Sequence, residues 1–346
     1  MFQRRQIRLR LPARTLALGE RTLVMGVLNV TPDSFSDGGL FLNADAAVAR
    51  AVAMEAAGAD IVDVGGESTR PGSLGVSAET ELGRVLPVIE KLRGKIRIPI
   101  SVDTSKAEVA EAAAAAGAEI VNDVTALRND PRIAEIVRRR KLALVLMHMR
   151  GKPRTMQKTP FARDVLRDVA TGLRHAVALA RRAGVAKSQM VLDPGIGFGK
   201  SSEQNCELLA RLPELARMGY PLLVGTSRKS FIANILQKSN LRAELAAERI
   251  WGTAATVAAS ILQGAHIVRV HDVAEMTQVA REHSKVLAPL KDDLQLAECG
   301  LDSLGFAVLV ARLEDKLGFD PFTGPVEAFV PATFGEFVKV YENGAH

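Results

Sequence analysis

The chain has 346 residues, 47% of them hydrophobic, enough for one large core of the size of an α/β barrel with an appendage. Its two cysteines, Cys206 and Cys299, lack metal-type spacing, charges interrupt every apolar run of the first twenty residues, and no uninterrupted apolar stretch is long enough to span a bilayer. These features argue against a disulfide framework, a zinc site, a signal-peptide core and a bilayer span, and a soluble protein of the reducing cytoplasm is expected, with no membrane partner. The net charge of +6 comes from scattered basic residues with few aromatics among them. This sets nucleic-acid binding aside but leaves a field that favours small anionic substrates.

In chain order, "QIRLRLPARTLALGERTL" alternates and carries Gly-Glu at a turn, which predicts an N-terminal hairpin closing the bottom of a barrel. Eight short apolar runs follow: "VMGVLNV", "DIVDVG", "IPISVDT", "IVNDV", "LALVLMH", "MVLDPG", "PLLVGT" and "HIVRVHD". Between them lie Ala-rich amphipathic stretches such as "ADAAVARAVAMEAAG" and "KAEVAEAAAAAG", several closed by a glycine suited to a helix C-cap. Near-continuous apolar strands alternating with helices predict a parallel sheet buried on both faces. Eight such units match a closed (β/α)8 TIM barrel, although the pattern alone also fits an open doubly wound sheet.

Each predicted strand ends in a polar group: Asn29, Asp63, Asp103, Asn122, His148, Asp193, the set Ser227 to Ser230, and Arg269 with His271. One such residue is as readily a helix cap as a ligand contact, but a parallel barrel opens all eight ends on one face. There is no Ser-His-Asp order and no cysteine nucleophile. Mixed donors and acceptors suit a flat heterocycle with N–H and carbonyl or ring-nitrogen groups on its edge. Asp193 or Asp103 can accept a ring N–H and an exocyclic amine, Asn122 can meet a mixed edge, and Lys229 can donate. Asn29, Arg269 and His271 suit an anionic leaving group and a hard cation such as Mg²⁺. His148 reads better as a loop anchor than as a catalyst, and Trp251 as packing.

Two glycine-rich segments are not nucleotide loops. "LDPGIGFGKSS" has Pro194 where a phosphate loop needs glycine and Lys200 where a dinucleotide fingerprint needs its third glycine. Its glycines allow a tight turn that brings Phe198 and Lys200 to the mouth. "GGESTRPGS" reads as a mobile loop around Thr69 and Arg70.

The segments "VMGVLNVTPDSFSDGG", "DIVDVGGESTRPG", "ISVDTSK", "IVNDV", "LDPGIGFGK", "GTSRKSF" and "RVHDV" resemble dihydropteroate synthase, in order, from about Val24 to Leu290. The resemblance implies an enzyme of folate synthesis that joins 6-hydroxymethyl-7,8-dihydropterin pyrophosphate to p-aminobenzoate with Mg²⁺ assistance, a homodimer and a sulfonamide target. Carried over by position, Asp103, Asn122, Asp193 and Lys229 hold the pterin, with Asp63 behind them. Asn29, Arg269 and His271 hold pyrophosphate, and Asn29 also holds the metal. Thr69, Arg70, Phe35, Phe198 and Ser230 form the p-aminobenzoate site. Asp33 and Phe35 belong to a lid over the cationic intermediate, so the hydroxyls of "TPDSFSDGG" are not nucleophiles. The resemblance thus counts Asp33, Phe35, Lys229, Arg269 and His271 as catalytic.

After residue 290 the pattern changes, dividing the chain into a barrel, 1–290, and a small helical extension, 291–346. Asp302-Ser303-Leu304, "LVARLEDKLG" and "PATFGEFVKVY" resemble an acyl or peptidyl carrier protein. That resemblance implies 4'-phosphopantetheine on Ser303 and carrier-pathway enzymes as partners. A carrier needs a long helix before its serine, yet the segment Val273 to Leu287 is also needed as the barrel's eighth helix. Two other readings remain beside the synthase: a pterin-binding methyltransferase barrel, and a specialised paralogue that uses a carrier-tethered arylamine.

Overall fold

The structure is a computed structural model that describes residues 4–31, 40–68, 73, 75–151, 156, 161–238 and 249–286, and, towards the C-terminus, 292, 295–296, 310, 313–314, 318 and 331–344. Asp33, Phe35, Thr69, Arg70, Cys299 and Ser303 lie outside the described residues. The chain divides into two compact units, Met1–Ala280 and Arg281–His346.

The first unit opens with an antiparallel hairpin, β1 (Ile7–Arg10) and β2 (Thr15–Leu18). Its reversal is not at Gly-Glu, as the sequence pattern suggests, but around Pro12 and Ala13, where Leu11 N–H donates to the Arg14 carbonyl at 2.9 Å. Proline supplies the fixed φ of a turn there. Gly19, at φ 109°, serves the link into the barrel, where a Cβ would stand 2.6 Å from the Arg5 carbonyl oxygen.

The barrel strands are β3 (Leu23–Asn29), β4 (Ile61–Gly65), β5 (Ile100–Asp103), β6 (Ile120–Asp123), β7 (Ala143–Met147), β8 (Met190–Asp193), β9 (Leu223–Val224) and β10 (Ile267–Val270). They form one eight-stranded sheet in the order β8-β7-β6-β5-β4-β3-β10-β9, all parallel. A single bridge, Leu192 to Leu222, joins its two edges, so the sheet closes into a barrel rather than lying open. The helices in order are α1 (Leu40–Ala56), α2 (Ala78–Leu92), α3 (Ala107–Ala116), α4 (Arg132–Arg140), α5 (Val165–Arg182), α6 (Ser202–Ala210), α7 (Leu212–Ala216), α8 (Ser230–Lys238), α9 (Ile250–Leu262) and α10 (Val273–Val286). α3 ends on Gly117 at φ 124°, a conformation that costs a side chain but not glycine.

Inside the lower barrel, Leu23, Met25, Ile61, Ile120, Val145, Val191, Leu223 and Ile267 pack with Leu9, Leu11 and Leu18 of the hairpin. Each of those hairpin leucines, once buried, contributes about 1.5–3 kcal/mol, so the hairpin is a firm plug at the N-terminal face. The mouth is left at the C-terminal ends of the strands. Trp251, expected to pack, is instead 82% exposed on α9. The short α8 and α9 meet at Gly252, where a Cβ would lie 2.3 Å from Ile232 Cγ2, and this close approach directs the neighbouring indole outwards.

In the second unit, the "PATFGEFVKVY" segment forms α11 (Phe334–Gly344). Thr333 and Glu336 make a capping box: Glu336 N–H donates to Thr333 Oγ1 at 3.2 Å and Thr333 N–H to Glu336 Oε2 at 3.2 Å. Gln295 pairs with Thr333 in an antiparallel bridge. Among the described residues no helix is long and apolar enough to cross a membrane.

Candidate active site

Period-two alternation builds the site directly on the core. Asp63, Asn122, Asp193 and Arg269 each stand two residues beyond an inward core residue, Ile61, Ile120, Val191 and Ile267, and so face the same interior one layer higher. The strand register adds a continuous row across four strands, Asn29 beside Gly65, Gly65 beside Asp103 and Asp103 beside Asn122.

Arg269 organises this layer. Its Nε donates to Asp63 Oδ2 at 2.7 Å and its Nη2 to Asp103 Oδ2 at 2.8 Å, while Asn122 Nδ2 donates to the same Asp63 oxygen at 2.9 Å. Asp63 is fully buried, and its Oδ1 has no hydrogen-bond partner. Two carboxylates thus share one guanidinium. Burial, reinforced by the negative charge of Asp63, Glu81 and Asp123, raises the Asp103 pKa to about 8 against the pull of Arg269.

Across the mouth, the buried Asp193 accepts the Gly195 N–H at 2.7 Å and is pushed above the usual carboxylate range, mainly by burial. Lys229 opposes that shift. The Lys229 ammonium donates to the Ile196 carbonyl and lies 4.4 Å from the centre of the Phe198 ring. Burial lowers its pKa to about 8. Phe198 packs in turn on Val124, Met147, Met149 and Met156, an apolar wall for a planar ligand. Ser230 is exposed at the start of α8, Asn29 is partly exposed at the end of β3, and His271 is held by Ser227, whose Oγ lies 3.1 Å from both its backbone nitrogen and Nδ1.

Lys200 does not reach the mouth as a donor, as the glycine pattern suggests. It is 3% exposed, and its ammonium is bound by the carbonyls of Gly195 at 2.8 Å, Phe198 at 3.0 Å and His148 at 3.4 Å. Burial lowers its pKa to about 7, and it braces the loop that carries Phe198. The positive φ values of Gly195, Gly197 and Gly199 let those carbonyls turn inwards; a Cβ on Gly195 would fall 1.9 Å from the His148 carbonyl oxygen.

Two supports escape a reading by residue type. Asp123 is wholly buried and accepts the Thr125 N–H at 2.8 Å and the Leu127 N–H at 2.6 Å, holding Ala126 and Leu127 at positive φ. Lys106 bridges Glu67 in the loop after β4 and the fully buried Glu81 of α2. The only sequence signal for either was its place inside a strand-end motif.

Comparison with known proteins fits this geometry. Residues 25–271 match the family model of pterin binding enzymes, and residues 276–321 match the phosphopantetheine attachment site. The second match begins inside α10. The chain is 49% identical over 263 residues to a dihydropteroate synthase of Synechocystis, covering 76% of this chain and 89% of that one. It is 47% identical over 258 residues to that of Escherichia coli K12, covering 75% and 89%. Among solved structures, the Xanthomonas albilineans dihydropteroate synthase with 4-aminobenzoic acid is 43% identical with a TM-score of 0.75, covering 82% of this chain and 99% of that one. The same enzyme in complex with 7,8-dihydropteroate is 41% identical with a TM-score of 0.72, covering 81% and 99%.

Proposed function

The chain belongs to the dihydropteroate synthase family of folate biosynthesis, and from that premise we propose which of its residues carry the condensation. The enzyme joins 6-hydroxymethyl-7,8-dihydropterin pyrophosphate to p-aminobenzoate, giving 7,8-dihydropteroate and pyrophosphate. The observation that carries the residue assignment is the buried polar layer in which Arg269 bridges Asp63 and Asp103 beside Asn122.

Asp103, Asn122, Asp193 and Lys229 meet the pterin edge, with Asp63 behind them orienting Arg269 and Asn122. Arg269, His271 and Asn29 face the pyrophosphate. As the methylene–oxygen bond breaks, pyrophosphate takes the electron pair and the pterin ring spreads the positive charge; buried carboxylates stabilise that charge without acting as bases. The arylamine nitrogen then bonds to the methylene carbon and loses a proton. Phe198, Ser230, Thr69 and Arg70 receive this second substrate, while Asp33 and Phe35 enclose the reacting atoms and exclude water.

Among the described residues no group of three or more His, Cys, Asp or Glu could hold a metal alone. The single carboxamide oxygen of Asn29 suits Mg²⁺, which usually takes one or two protein oxygens and fills its shell with phosphate oxygens and water. Gly65 leaves the space beside the Asn29 carboxamide open: a Cβ there would stand 3.7 Å from Asn29 Oδ1 and 3.9 Å from Asp103 Oδ2. Asn29 would hold the ion, which would neutralise charge on the pyrophosphate.

The barrel is assigned to residues 1–290 and a carrier-like extension to 291–346, with α10 also serving the segment matched from residue 276. In that extension Ser303 takes a 4'-phosphopantetheine arm from a carrier-pathway transferase. Intact mass after treatment with such a transferase should rise by one arm, and the rise should vanish in Ser303→Ala. Two barrels pair through outer helices, a reading supported by the exposed Trp251 of α9 and Ile235 of α8; sedimentation should give a dimer.

Purified enzyme with Mg²⁺, the pterin pyrophosphate and p-aminobenzoate should release pyrophosphate and form dihydropteroate. Lys229→Ala and Asp193→Ala should remove most of that activity with the fold intact. Near-normal rates in either variant would overturn the pterin-site assignment.

A further inference from the structure

A cavity of about 650 Å³ opens beside the acceptor end of the barrel mouth. Its lining includes Gly197, Ser201, Ser202, Ser230, Asn234 and Gln237. Gly197 and Ser230 are the chain neighbours of Phe198 and Lys229, so the cavity continues from the position assigned to the arylamine. Its volume lies within the range that encloses a whole drug-sized molecule, so p-aminobenzoate held at Phe198 and Ser230 would occupy only its inner end.

The chemistry of the walls narrows the occupant. Lys200 borders the cavity, but its ammonium is bound by three backbone carbonyls. Asn205 is likewise committed, accepting the Gly197 N–H at 2.7 Å and donating to the Ser201 carbonyl at 2.8 Å. The rest of the polar wall consists of hydroxyls and carboxamides, with Asn234 Nδ2 donating to Ser202 Oγ at 3.2 Å, and one carboxylate, Glu203. Carboxamides and hydroxyls offer donors and acceptors to a neutral chain of amides, whereas a second carboxylate would lose its hydration against a wall whose one ammonium is already bound by carbonyls.

We infer that the acceptor site takes an arylamine whose carboxyl group is extended, through an acyl linkage, into a neutral amide-bearing arm that lies in this cavity. The inference rests on the synthase reading and specifies its second substrate. A separate observation points the same way: residues 276–321 match the phosphopantetheine attachment site, and a pantetheine arm is a chain of amides and hydroxyls ending in a thiol. The acceptor is then a p-aminobenzoyl thioester. In the reaction the carbon–oxygen bond to pyrophosphate breaks first, and the aniline nitrogen then bonds to the cationic pterin methylene. Pyrophosphate leaves with the electron pair, and the aniline proton goes to solvent. The thioester at the opposite end of the ring is untouched, so no further reactant is required.

The test compares three acceptors with the full-length chain: p-aminobenzoate, p-aminobenzoyl-pantetheine and p-aminobenzoyl-glutamate, with product mass and pyrophosphate release as readouts. The pantetheine thioester should match or exceed p-aminobenzoate in kcat/KM, with the glutamate amide roughly tenfold or more below the thioester. Asn234→Leu and Gln237→Leu should raise KM for the thioester by roughly fivefold and leave p-aminobenzoate kinetics unchanged. Three results would overturn the inference: turnover of p-aminobenzoate but not of the thioester, a glutamate amide used as well as the thioester, or variants that affect both acceptors equally. If p-aminobenzoate itself gives no product, it is the synthase reading that fails.

Discussion

Arg228 and Asp272 tie the loop after β9 to the loop after β10. Arg228 Nε donates to Asp272 Oδ2 at 3.0 Å, and its Nη2 donates to the other carboxylate oxygen. Each partner adjoins a residue assigned to the reaction, Lys229 on one loop and His271 on the other. Arg228 sits at φ 60°, a left-handed conformation costly for a side chain, and is fixed by its N–H to Thr253 Oγ1 at 3.1 Å and by Arg249 on its carbonyl at 3.0 Å. Arg228→Ala and Asp272→Asn should each lower kcat/KM by roughly tenfold or more, and the double variant should be little worse than either, since both break one bidentate link. Additive losses in a double-variant cycle would separate the two residues.

The pH profile follows from two groups with opposite needs. Asp103 must be ionised to accept pterin N–H groups, and its pKa is raised to about 8; Lys229 must be protonated to donate, and its pKa is lowered to about 8. The free enzyme's kcat/KM for the pterin should therefore rise into pH 8 through Asp103 and fall above it through Lys229, in a narrow bell whose apparent values belong to the coupled site. Lys229→Arg should remove the alkaline fall while keeping the acid limb, because a guanidinium does not titrate in that range. A bell that survives this substitution would show that another group sets the alkaline limb.

Arg269 is the shared counter-charge of two buried carboxylates, so its loss should be felt in stability as well as in activity. Arg269→Met leaves Asp63 and Asp103 uncompensated, a change that costs about 3–5 kcal/mol when a buried pair is broken. Without the cation, nothing opposes burial at Asp103, and its folded-state pKa, about 8 in the parent, rises further above an unfolded value of roughly 4. The folded variant then holds its protons more tightly than the unfolded chain. Its stability is greatest near pH 4 and is lost as pH rises through the raised values. Because Asp103 of the parent already holds its proton up to about pH 8, the gap between the two sets of melting curves should stay level from pH 5 to pH 7 and widen above pH 8; a gap that stays constant above pH 8 would exclude this account.

The eight strands and their polar ends were legible because period-two alternation and apolar run length are local properties of the chain. Asp63, Asn122, Asp193 and Arg269 follow from counting two residues past a core position. What stayed hidden is what side chains do to one another over long sequence separations. Nothing near Lys200 announces that it is spent on its own loop, and nothing near Asp123 that it holds two left-handed residues in place. Trp251 misled for a related reason: an apolar residue in a helical run is expected to be buried, but which helix face points inwards is decided by a partner, here the contact of Gly252 with Ile232.

His148 and Gly172 provide the last test. A Cβ on Gly172 would stand 2.6 Å from Cδ2 of the His148 ring and 3.2 Å from its Nε2, so the glycine in α5 makes room for the imidazole. Burial, aided by the positive charges of Lys200, Arg128 and Arg150, lowers the His148 pKa to about 3, which keeps the ring neutral throughout any working range. Its backbone N–H donates to the Asp193 carbonyl at 2.9 Å, and its own carbonyl is one of those that hold Lys200. His148 is therefore a positioning residue for the Phe198 loop, with no proton to exchange. Gly172→Ala should overpack the site and destabilise the fold by about 1–3 kcal/mol. His148→Ser should relieve that clash, so the double variant should melt above Gly172→Ala alone. His148→Ser by itself should lower the rate without altering the shape of the pH profile. A new or missing titration in that profile would instead make His148 a proton carrier.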